Sequence, residues 1–226
     1  DFSYLYIMKT LLLSLISVLA LNSYAQLTYV PDDALELALE THLGVSDGDG
    51  NNDDGVTEWL NNISILQLDY CDQINDYTGF EELISLSGIA STGYNGASLD
   101  LSDIPYYPNG LSVSIIGSSG LTPPSLTSLI LPNSPLRSLI ITNTNLSSLI
   151  LEPAHNLYSG QLLTIAHNSL LEYIDISAVD ILIDQPTAPM LSIVNNPSLS
   201  CLNLANGYCD YWGLVSLEYN NDLFSI

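Results

Sequence analysis

Basic side chains are almost absent from this sequence. Only Lys9 and Arg137 oppose 25 aspartates and glutamates, which gives a formal net charge of −23 at pH 7. A chain this acidic is repelled by phosphate backbones and by anionic lipid surfaces, so its charge argues against nucleic-acid binding and against membrane binding. Most of the carboxylates lie between Asp32 and Asp103, and their simplest role is to keep an exported protein soluble.

Cysteine is scarce, and so are the sequence motifs of common enzymes. The chain has three cysteines, of which Cys201 and Cys209 are eight residues apart across a tight turn. We predict a disulfide between them, which is compatible with an oxidising compartment. Neither a C-x-x-C pair nor metal-ligand spacing of cysteines is present, and G-x-S-x-G, H-E-x-x-H and phosphate-binding glycine loops are missing as well.

Histidine is the third rare residue type that bears on catalysis. His42 belongs to a predicted helix, while His155 and His167 each precede an asparagine in a polar turn. The simplest interpretation is that His155 and His167 both lie in surface turns. Since no convergent acid, base or nucleophile emerges from the sequence, we predict that the chain is not an enzyme.

Long apolar runs are lacking after residue 25. The run Leu11 to Leu21 follows Met8-Lys9-Thr10 and precedes Asn22-Ser23-Tyr24-Ala25, which is typical of a secretory signal peptide. The run is too short to span a bilayer. We therefore expect residues 1–25 to comprise upstream residues and a leader cleaved after Ala25, and the protein to be secreted or held at the cell surface without inserting into a membrane.

A short apolar phrase recurs through the rest of the chain. Leu126, Leu136 and Leu146 each open L-x-x-L-x-[LI], so that pairs of apolar residues alternate with polar ones at period two, as in a strand with one buried face. Ten residues are too few for a helical crossover between parallel strands. If alternate strands lie on opposite walls of a coil, one turn takes 20 to 28 residues. Residues 63–226 are thus predicted to form a mainly β solenoid of short, parallel, stacked strands.

The residues that follow these strands resemble the leucine-rich-repeat family. ISILQLDYCDQI, residues 63–74, fits L-x-x-L-x-L-x-x-C-x-x-L, with Cys71 at the position that the family gives to Asn or Cys. Asn168 and Asn196 occupy the same position in LLTIAHNSLL and MLSIVNNPSL. The resemblance implies that these side chains turn inward and hydrogen-bond the bent backbone of neighbouring coils, and that Cys71 is such a residue rather than a nucleophile.

The segment before the solenoid resembles one particular group within the leucine-rich-repeat family. VPDDALELALETHLG, an acidic loop rich in Gly, Asp and Asn, and INDYTGFEELISL together resemble internalin-like leucine-rich-repeat proteins of the type exported by Bacteroidetes. Asp32 or Asp33 can N-cap a helix that aligns Leu35, Leu39 and Leu43 on one stripe. Residues 26–62 are accordingly predicted to form a short helical cap over the first coil, followed by the acidic loop.

The resemblance implies a non-catalytic binding or adhesion module that recognises a protein or glycan ligand. One alternative is a structural spacer or accessory domain of a larger cell-surface protein. A second is a β-helix enzyme acting on acidic polysaccharide with acids such as Asp100, Asp103 or Asp175, but Arg137 alone is too little positive charge for a polyanion. The repeat pattern still cycles at Ile226, so either a short cap follows Cys209 or the chain is a truncated piece of a longer protein.

Two sets of residues are candidates for contact with a ligand. In the strand pattern L-x-L the middle residue faces solvent, and Ile130, Ile140 and Ile150 occupy that position. We expect Ile130 and Ile150 on one wall and Ile140 on the opposite wall, where exposed apolar side chains mark an interface. The alternative set is three loop tyrosines, which offer a large contact area: Tyr94, Tyr106 and Tyr107.

The acidic loop contains a candidate calcium site, the only cofactor that the sequence suggests. Five oxygen ligands match EF-hand positions 1, 3, 5, 7 and 12: Asp47, Asp49, Asn51, Asp53 and Glu58. Asn52 replaces the glycine at position 6, Asp54 replaces the usual apolar residue at position 8, and no entering helix directly adjoins the loop. A structural calcium ion is therefore a hypothesis about a loop whose composition also suits a simple soluble turn.

Calorimetry tests this hypothesis directly. Titration of Ca²⁺ into the protein is expected to release or absorb heat, and the double variant Asp49→Ala with Glu58→Ala is expected to show none, because it removes two carboxylate ligands. The absence of heat with the unaltered chain would rule out the site.

Overall fold

The computed structural model describes residues 27–32, 35–36, 39, 56–58, 63–68, 79–80, 83–94, 96–117, 126–182, 188–205 and 212–226. The predicted leader, most of the acidic loop, Cys71 and Cys209 lie outside these residues.

Short strands dominate the described part of the chain. They are β1 Leu27–Tyr29, β2 Val56–Glu58, β3 Ile65–Gln67, β4 Gly88–Tyr94, β5 Ser98–Asp100, β6 Leu111–Gly117, β7 Ser128–Ile130, β8 Leu136–Thr142, β9 Ser148–Ile150, β10 Leu157–Ala166, β11 Tyr173–Asp175, β12 Ile181–Leu182, β13 Met190–Val194, β14 Cys201–Asn203 and β15 Leu214–Ser216. A 3-10 helix, Pro153–His155, lies between β9 and β10.

Most of these strands form the two walls of a parallel β-solenoid of about five turns. The wide wall has the order β15-β13-β10-β8-β6-β4-β3, with β12 beside β10. The narrow wall consists of two sheets, β5-β7 and β14-β11-β9. All of these pairings are parallel, whereas β1 and β2 pair antiparallel. The prediction of a mainly β solenoid with alternate strands on opposite walls is confirmed.

Pairing register fixes the length of each coil. Along the wide wall, Leu66 pairs with Ile89, Val113 with Leu139, and Leu163 with both Leu139 and Leu191. One turn therefore takes between 23 and 28 residues, within the 20 to 28 expected from the sequence. The variation in the number of residues per turn shows that loops of different length join walls whose strands remain in register.

The core lies between the walls. Paired residues of successive strands are almost fully buried, as in Leu139, Leu163 and Leu191, and the same cluster continues from Val30 to Leu202. Each coil contributes only a few apolar side chains, so most of the cover for any one leucine comes from the coils above and below it. Burial of such a side chain stabilises the fold by roughly 1.5–3 kcal/mol.

The first described helical residues pack on this cluster. Leu35, Glu36 and Leu39 have helical backbone conformation, and all three side chains are buried. The Leu35 amide donates to Asp32 Oδ1 at 3.0 Å and the Glu36 amide donates to the Asp32 carbonyl at 2.9 Å, which is N-cap geometry. Leu43 and Gly44 lie outside the described residues, so the full cap helix stays a prediction.

A column of polar side chains runs through the interior at one corner of the coils. Asn168 and Asn196 are fully buried, as the resemblance implied. Asn168 Oδ1 accepts the backbone amide of Thr144 at 2.9 Å, and Asn196 Oδ1 accepts the amide of Asn168 at 3.0 Å. Asn220 continues the series, because its Oδ1 accepts the Asn196 amide at 3.1 Å. We call Thr144, Asn168, Asn196 and Asn220 the asparagine ladder.

The ladder also satisfies carbonyl groups of the preceding coil. The Nδ2 atoms of Asn168, Asn196 and Asn220 donate to the carbonyls of Ile141, Ile165 and Ile193, at 3.1, 3.0 and 2.8 Å. Each amide side chain thereby replaces the ladder of strand hydrogen bonds where the backbone bends away from the wide wall. Without these hydrogen bonds, buried backbone groups would lack partners and would destabilise the fold at this corner.

Substitution of one ladder residue tests its contribution. Asn196→Ala leaves the amide of Asn168 and the carbonyl of Ile165 without these partners, and the expected loss is about 1–3 kcal/mol in the free energy of unfolding. Urea denaturation measures it, and Asn133→Ala in an exposed turn is the matched control. Equal, small losses in both variants would show that the ladder is dispensable.

Candidate binding surface

The outer side of the wide wall is an ordered array of side chains. Because successive strands stay in register, residues at the same pairing position form rows across the sheet. The first row is Ile65, Gly88, Ser112, Ser138, Leu162, Met190 and Leu214; the second is Gln67, Ala90, Ser114, Ile140, Thr164, Ser192 and Ser216; the third is Thr92, Ile116, Thr142, Ala166 and Val194. We call these three rows the wide-wall face.

No residue of the wide-wall face is charged, although the chain as a whole carries a net charge of −23. Serine and threonine hydroxyls are interspersed with aliphatic side chains, and aromatic rings are absent from the three rows. Most of these side chains are short and half-buried against their neighbours, as are Ser114, Ile140 and Thr164. The three rows are therefore an uncharged surface on which short side chains predominate.

The narrow wall presents the two isoleucines that the sequence singled out. Ile130 and Ile150 are 48% and 55% exposed, which confirms their outward orientation. Ile140 lies on the opposite wall, within the wide-wall face, and is half-buried. Ile130 pairs with Asp100, and Ile150 pairs with Asp175. The exposed apolar stripe is thus short and is flanked by carboxylates.

Ile130 and Ile150 belong to separate sheets of the narrow wall. Strand β7 pairs with β5, whereas β9 pairs with β11. Their coils are joined at the corner, where the Asn145 amide donates to the Leu126 carbonyl at 2.9 Å. The two side chains therefore lie on one wall, but no strand ladder connects them.

The three loop tyrosines do not form one exposed set. Tyr94 is fully buried, and its hydroxyl donates to the Ser98 carbonyl at 2.7 Å, so the expectation that Tyr94 lies in an exposed loop is wrong. The Tyr107 hydroxyl donates to the Leu83 carbonyl at 3.1 Å, and burial raises the pKa of Tyr107 to about 12. Only Tyr106, which is 63% exposed, has the open contact area that we expected of the set.

The carboxylate of Asp175 is held by its own coil and the next one. The Tyr173 hydroxyl donates to Oδ2 at 2.8 Å, Asn203 Nδ2 donates to the same oxygen at 3.2 Å, and the Ser177 amide donates to Oδ1 at 2.9 Å. Partial burial raises the pKa of Asp175, but these hydrogen bonds outweigh it and leave the pKa below its ordinary value. Asp175 therefore stays ionised and links two strands of the narrow wall.

The predicted calcium ligands and the disulfide remain predictions. Asp47, Asp49, Asn51 and Asp53 lie outside the described residues, while Glu58 ends strand β2 where an EF-hand would begin its exiting helix. Within the described part of the chain, no three side chains of His, Cys, Asp or Glu come together as a metal site. Cys201 is half-buried and forms no disulfide with another described residue, and its predicted partner Cys209 is not among the described residues.

A shallow groove crosses the corner that precedes the narrow wall. It is lined by Glu172, Ser198, Ser200, Asp222 and Phe224, from three successive coils. The hydroxyls of Ser198 and Ser200 donate to the carbonyls of Ser169 and Glu172, which binds each coil to the preceding one.

Among the described residues, no helix is long and apolar enough to cross a membrane.

Comparison with known proteins gives no relative from which a function can be transferred. No family model matches the chain, and no similar protein is found among curated sequences or solved structures.

Two histidines differ in environment. His167 is exposed in a turn with φ of 58°, as expected. His155, however, is only 7% exposed, so its expected place at the surface is wrong. Its Nδ1 accepts the Glu152 amide at 2.9 Å, which requires a ring nitrogen without a proton. Burial lowers the pKa of His155, against opposing contributions from Glu152 and from the carbonyls of Pro132 and Leu131.

The environment of His155 predicts a pH dependence of stability. Since its folded pKa lies below the ordinary 6.5, the unfolded chain takes up a proton first as the pH falls. The contribution of neutral His155 is therefore complete above about pH 6.5 and is lost progressively below it. Denaturation at several pH values should show a smaller loss between pH 7 and pH 5 for His155→Gln than for the unaltered chain. His167→Gln is the control, and an unchanged profile in His155→Gln would contradict the assignment.

Proposed function

We propose that this protein is an exported, non-catalytic leucine-rich-repeat solenoid that binds a protein or glycan ligand at its outer surface. The observation that carries the proposal is the wide-wall face. A surface with no function beyond solubility carries charges of both signs or of the chain's dominant sign. Charged residues are depleted at the centres of interaction surfaces instead, and three neutral rows in a chain this acidic have that composition.

Two features support the leucine-rich-repeat assignment. Coils of 23 to 28 residues fall within the range of such repeats. The asparagine ladder recurs at matching positions, and its amides bond both to the backbone and to one another, as with Asn168 Nδ2 and Asn196 Oδ1 at 3.2 Å. The leader-like pattern of residues 8–25 supports export, and the excess of carboxylates suits a protein that must remain soluble outside the cell.

The short isoleucine stripe is the second candidate surface. Ile130 and Ile150 are exposed on the narrow wall, but the Asp100 and Asp175 carboxylates beside them limit the apolar area. The wide-wall face is larger, and its three rows contain no charged residue; the Glu218 carboxylate, which accepts the Ser216 hydroxyl at 3.4 Å, lies beside one end of the face. We therefore place the main contact there and treat the stripe as a separate arm of the test.

Capture of ligands from native surface extracts distinguishes these possibilities. Ile140→Glu puts a carboxylate at the middle of the wide-wall face and is expected to reduce capture, because the charge must be desolvated on binding. Ile130→Ser with Ile150→Ser is expected to leave most capture intact. Both variants must first unfold with the same urea midpoint as the unaltered chain.

Loss of capture in the isoleucine pair alone would move the site to the narrow wall. If the unaltered chain captures neither protein nor glycan, the binding function is wrong and the spacer role takes its place.

A further inference from the structure

We propose that the wide-wall face binds a neutral, extended polysaccharide that lies flat against the stacked strands. The inference rests on the proposed binding function and adds the chemical class of the ligand and the way it is held. It follows from the charge, the hydrogen-bonding groups, the composition and the dimensions of the face.

Charge selects a neutral ligand. An acidic polysaccharide is repelled by the net charge of −23, and a basic ligand would be drawn to the carboxylates outside the three rows. The one cation of the described chain, Arg137, lies at the margin of the face, where its Nε donates to the Asn109 carbonyl at 2.6 Å. A neutral ligand covers the three rows without burying a charged residue that belongs to them, and the Glu218 carboxylate, which accepts the Ser216 hydroxyl at 3.4 Å, lies only beside one end.

Hydroxyl groups supply the polar contacts. Ser114, Thr164 and Ser192 belong to the central row, and within the described part of the chain their hydroxyls have no hydrogen-bond partner. A hydroxyl both donates and accepts, as the hydroxyls of a sugar do, so either orientation of a pyranose ring finds a complementary group. Apolar contacts come from Ile140, which lies between Ser114 and Thr164 in the central row, and from Leu162 and Val194 in the neighbouring rows. Their methyl groups can contact the C–H groups of the ring.

Composition disfavours a protein partner at this face. The energetically dominant residues of protein interfaces are tryptophan, tyrosine and arginine, and the three rows contain none of them. Exposed Met190 at the edge is the nearest approach to such an anchor. A ligand that gains its affinity from many equivalent weak contacts fits better than one that needs a few large anchors.

The dimensions fit a chain rather than a single sugar. Seven strands at about 4.8 Å spacing extend roughly 29 Å along the solenoid, which accommodates several rings in a row. Most side chains of the three rows are short, which favours contact along the side of a chain over capture of a chain end. The face therefore takes the side of an extended polysaccharide, and insoluble, ordered material should bind at least as well as soluble chains.

Sedimentation with insoluble neutral polysaccharides tests the inference. Microcrystalline cellulose, chitin and insoluble β-1,3-glucan are incubated with the full chain, and the bound fraction is measured, with alginate as a soluble acidic competitor. We expect binding to at least one neutral material and no competition by alginate. Ser114→Glu with Thr164→Glu should lower the affinity by at least about tenfold, because it places two carboxylates in the central row.

The matched control places the same charges on the other wall. Ser128→Glu with Ser148→Glu alters exposed positions of β7 and β9 and should keep the binding of the unaltered chain. A milder pair, Ser114→Ala with Thr164→Val, preserves size and neutrality, and it should weaken binding because it removes two of the hydroxyls that supply the polar contacts. Urea midpoints within error of the unaltered chain show that each variant is folded.

The outcomes separate this inference from the proposed function. Sedimentation that is lost with Ser114→Glu and Thr164→Glu and kept in the control supports it. Failure to bind every neutral polysaccharide, or binding that survives the central charges, overturns it. If the same variant abolishes capture of a protein from surface extracts while no polysaccharide binds, the binding function stands and the ligand class is wrong.

Discussion

Every other feature of this protein depends on the mutual covering of neighbouring coils. One coil has only a few inward apolar side chains, such as Leu139 and Ile141, and it cannot enclose them by itself. The parallel register places the next coil's leucine directly above, so that burial and strand hydrogen bonding reinforce each other. A coil with polar residues at its inward positions would lose the apolar packing with the coil before it and with the coil after it.

The same register organises the corner and the surface. Where the chain leaves the wide wall, strand pairing can no longer satisfy the backbone, and the amides of Asn168, Asn196 and Asn220 replace it with bonds between coils. On the outer side, the register converts scattered serines, threonines and aliphatic residues into rows. The solenoid thus supplies a flat surface at no further structural cost, and selection for a ligand needs to act only on outward positions that the core does not constrain.

Charge distribution connects the fold with the proposed function. Among the described residues, carboxylates lie in turns and at the narrow wall, where Asp100 and Asp175 stand beside the exposed isoleucines, and Glu218 lies beside one end of the wide-wall face. The wide-wall face is free of them although its residues are no more buried than many turn residues. An acidic chain with one wall that lacks charged residues offers a surface that a ligand can cover at a small desolvation cost.

The sequence by itself determined the coil, the two walls and the inward residues, because the two-residue alternation, the ten-residue spacing and the recurring asparagines are local patterns with a single compatible geometry. It also predicted that Ile130 and Ile150 face outward. It could not assemble the wide-wall face, because row membership depends on coil lengths that vary with every loop.

Tyr94 shows why the tertiary structure is needed to place a single side chain. Gly93, with φ of 105°, lies at a register shift between β4 and β6, and this interruption turns Tyr94 inward where strict alternation would leave it outside. His155 is buried for a similar reason, since the 3-10 helix folds its ring back beneath the Glu152 amide. Such shifts are decided by contacts between coils, which only the tertiary structure brings together.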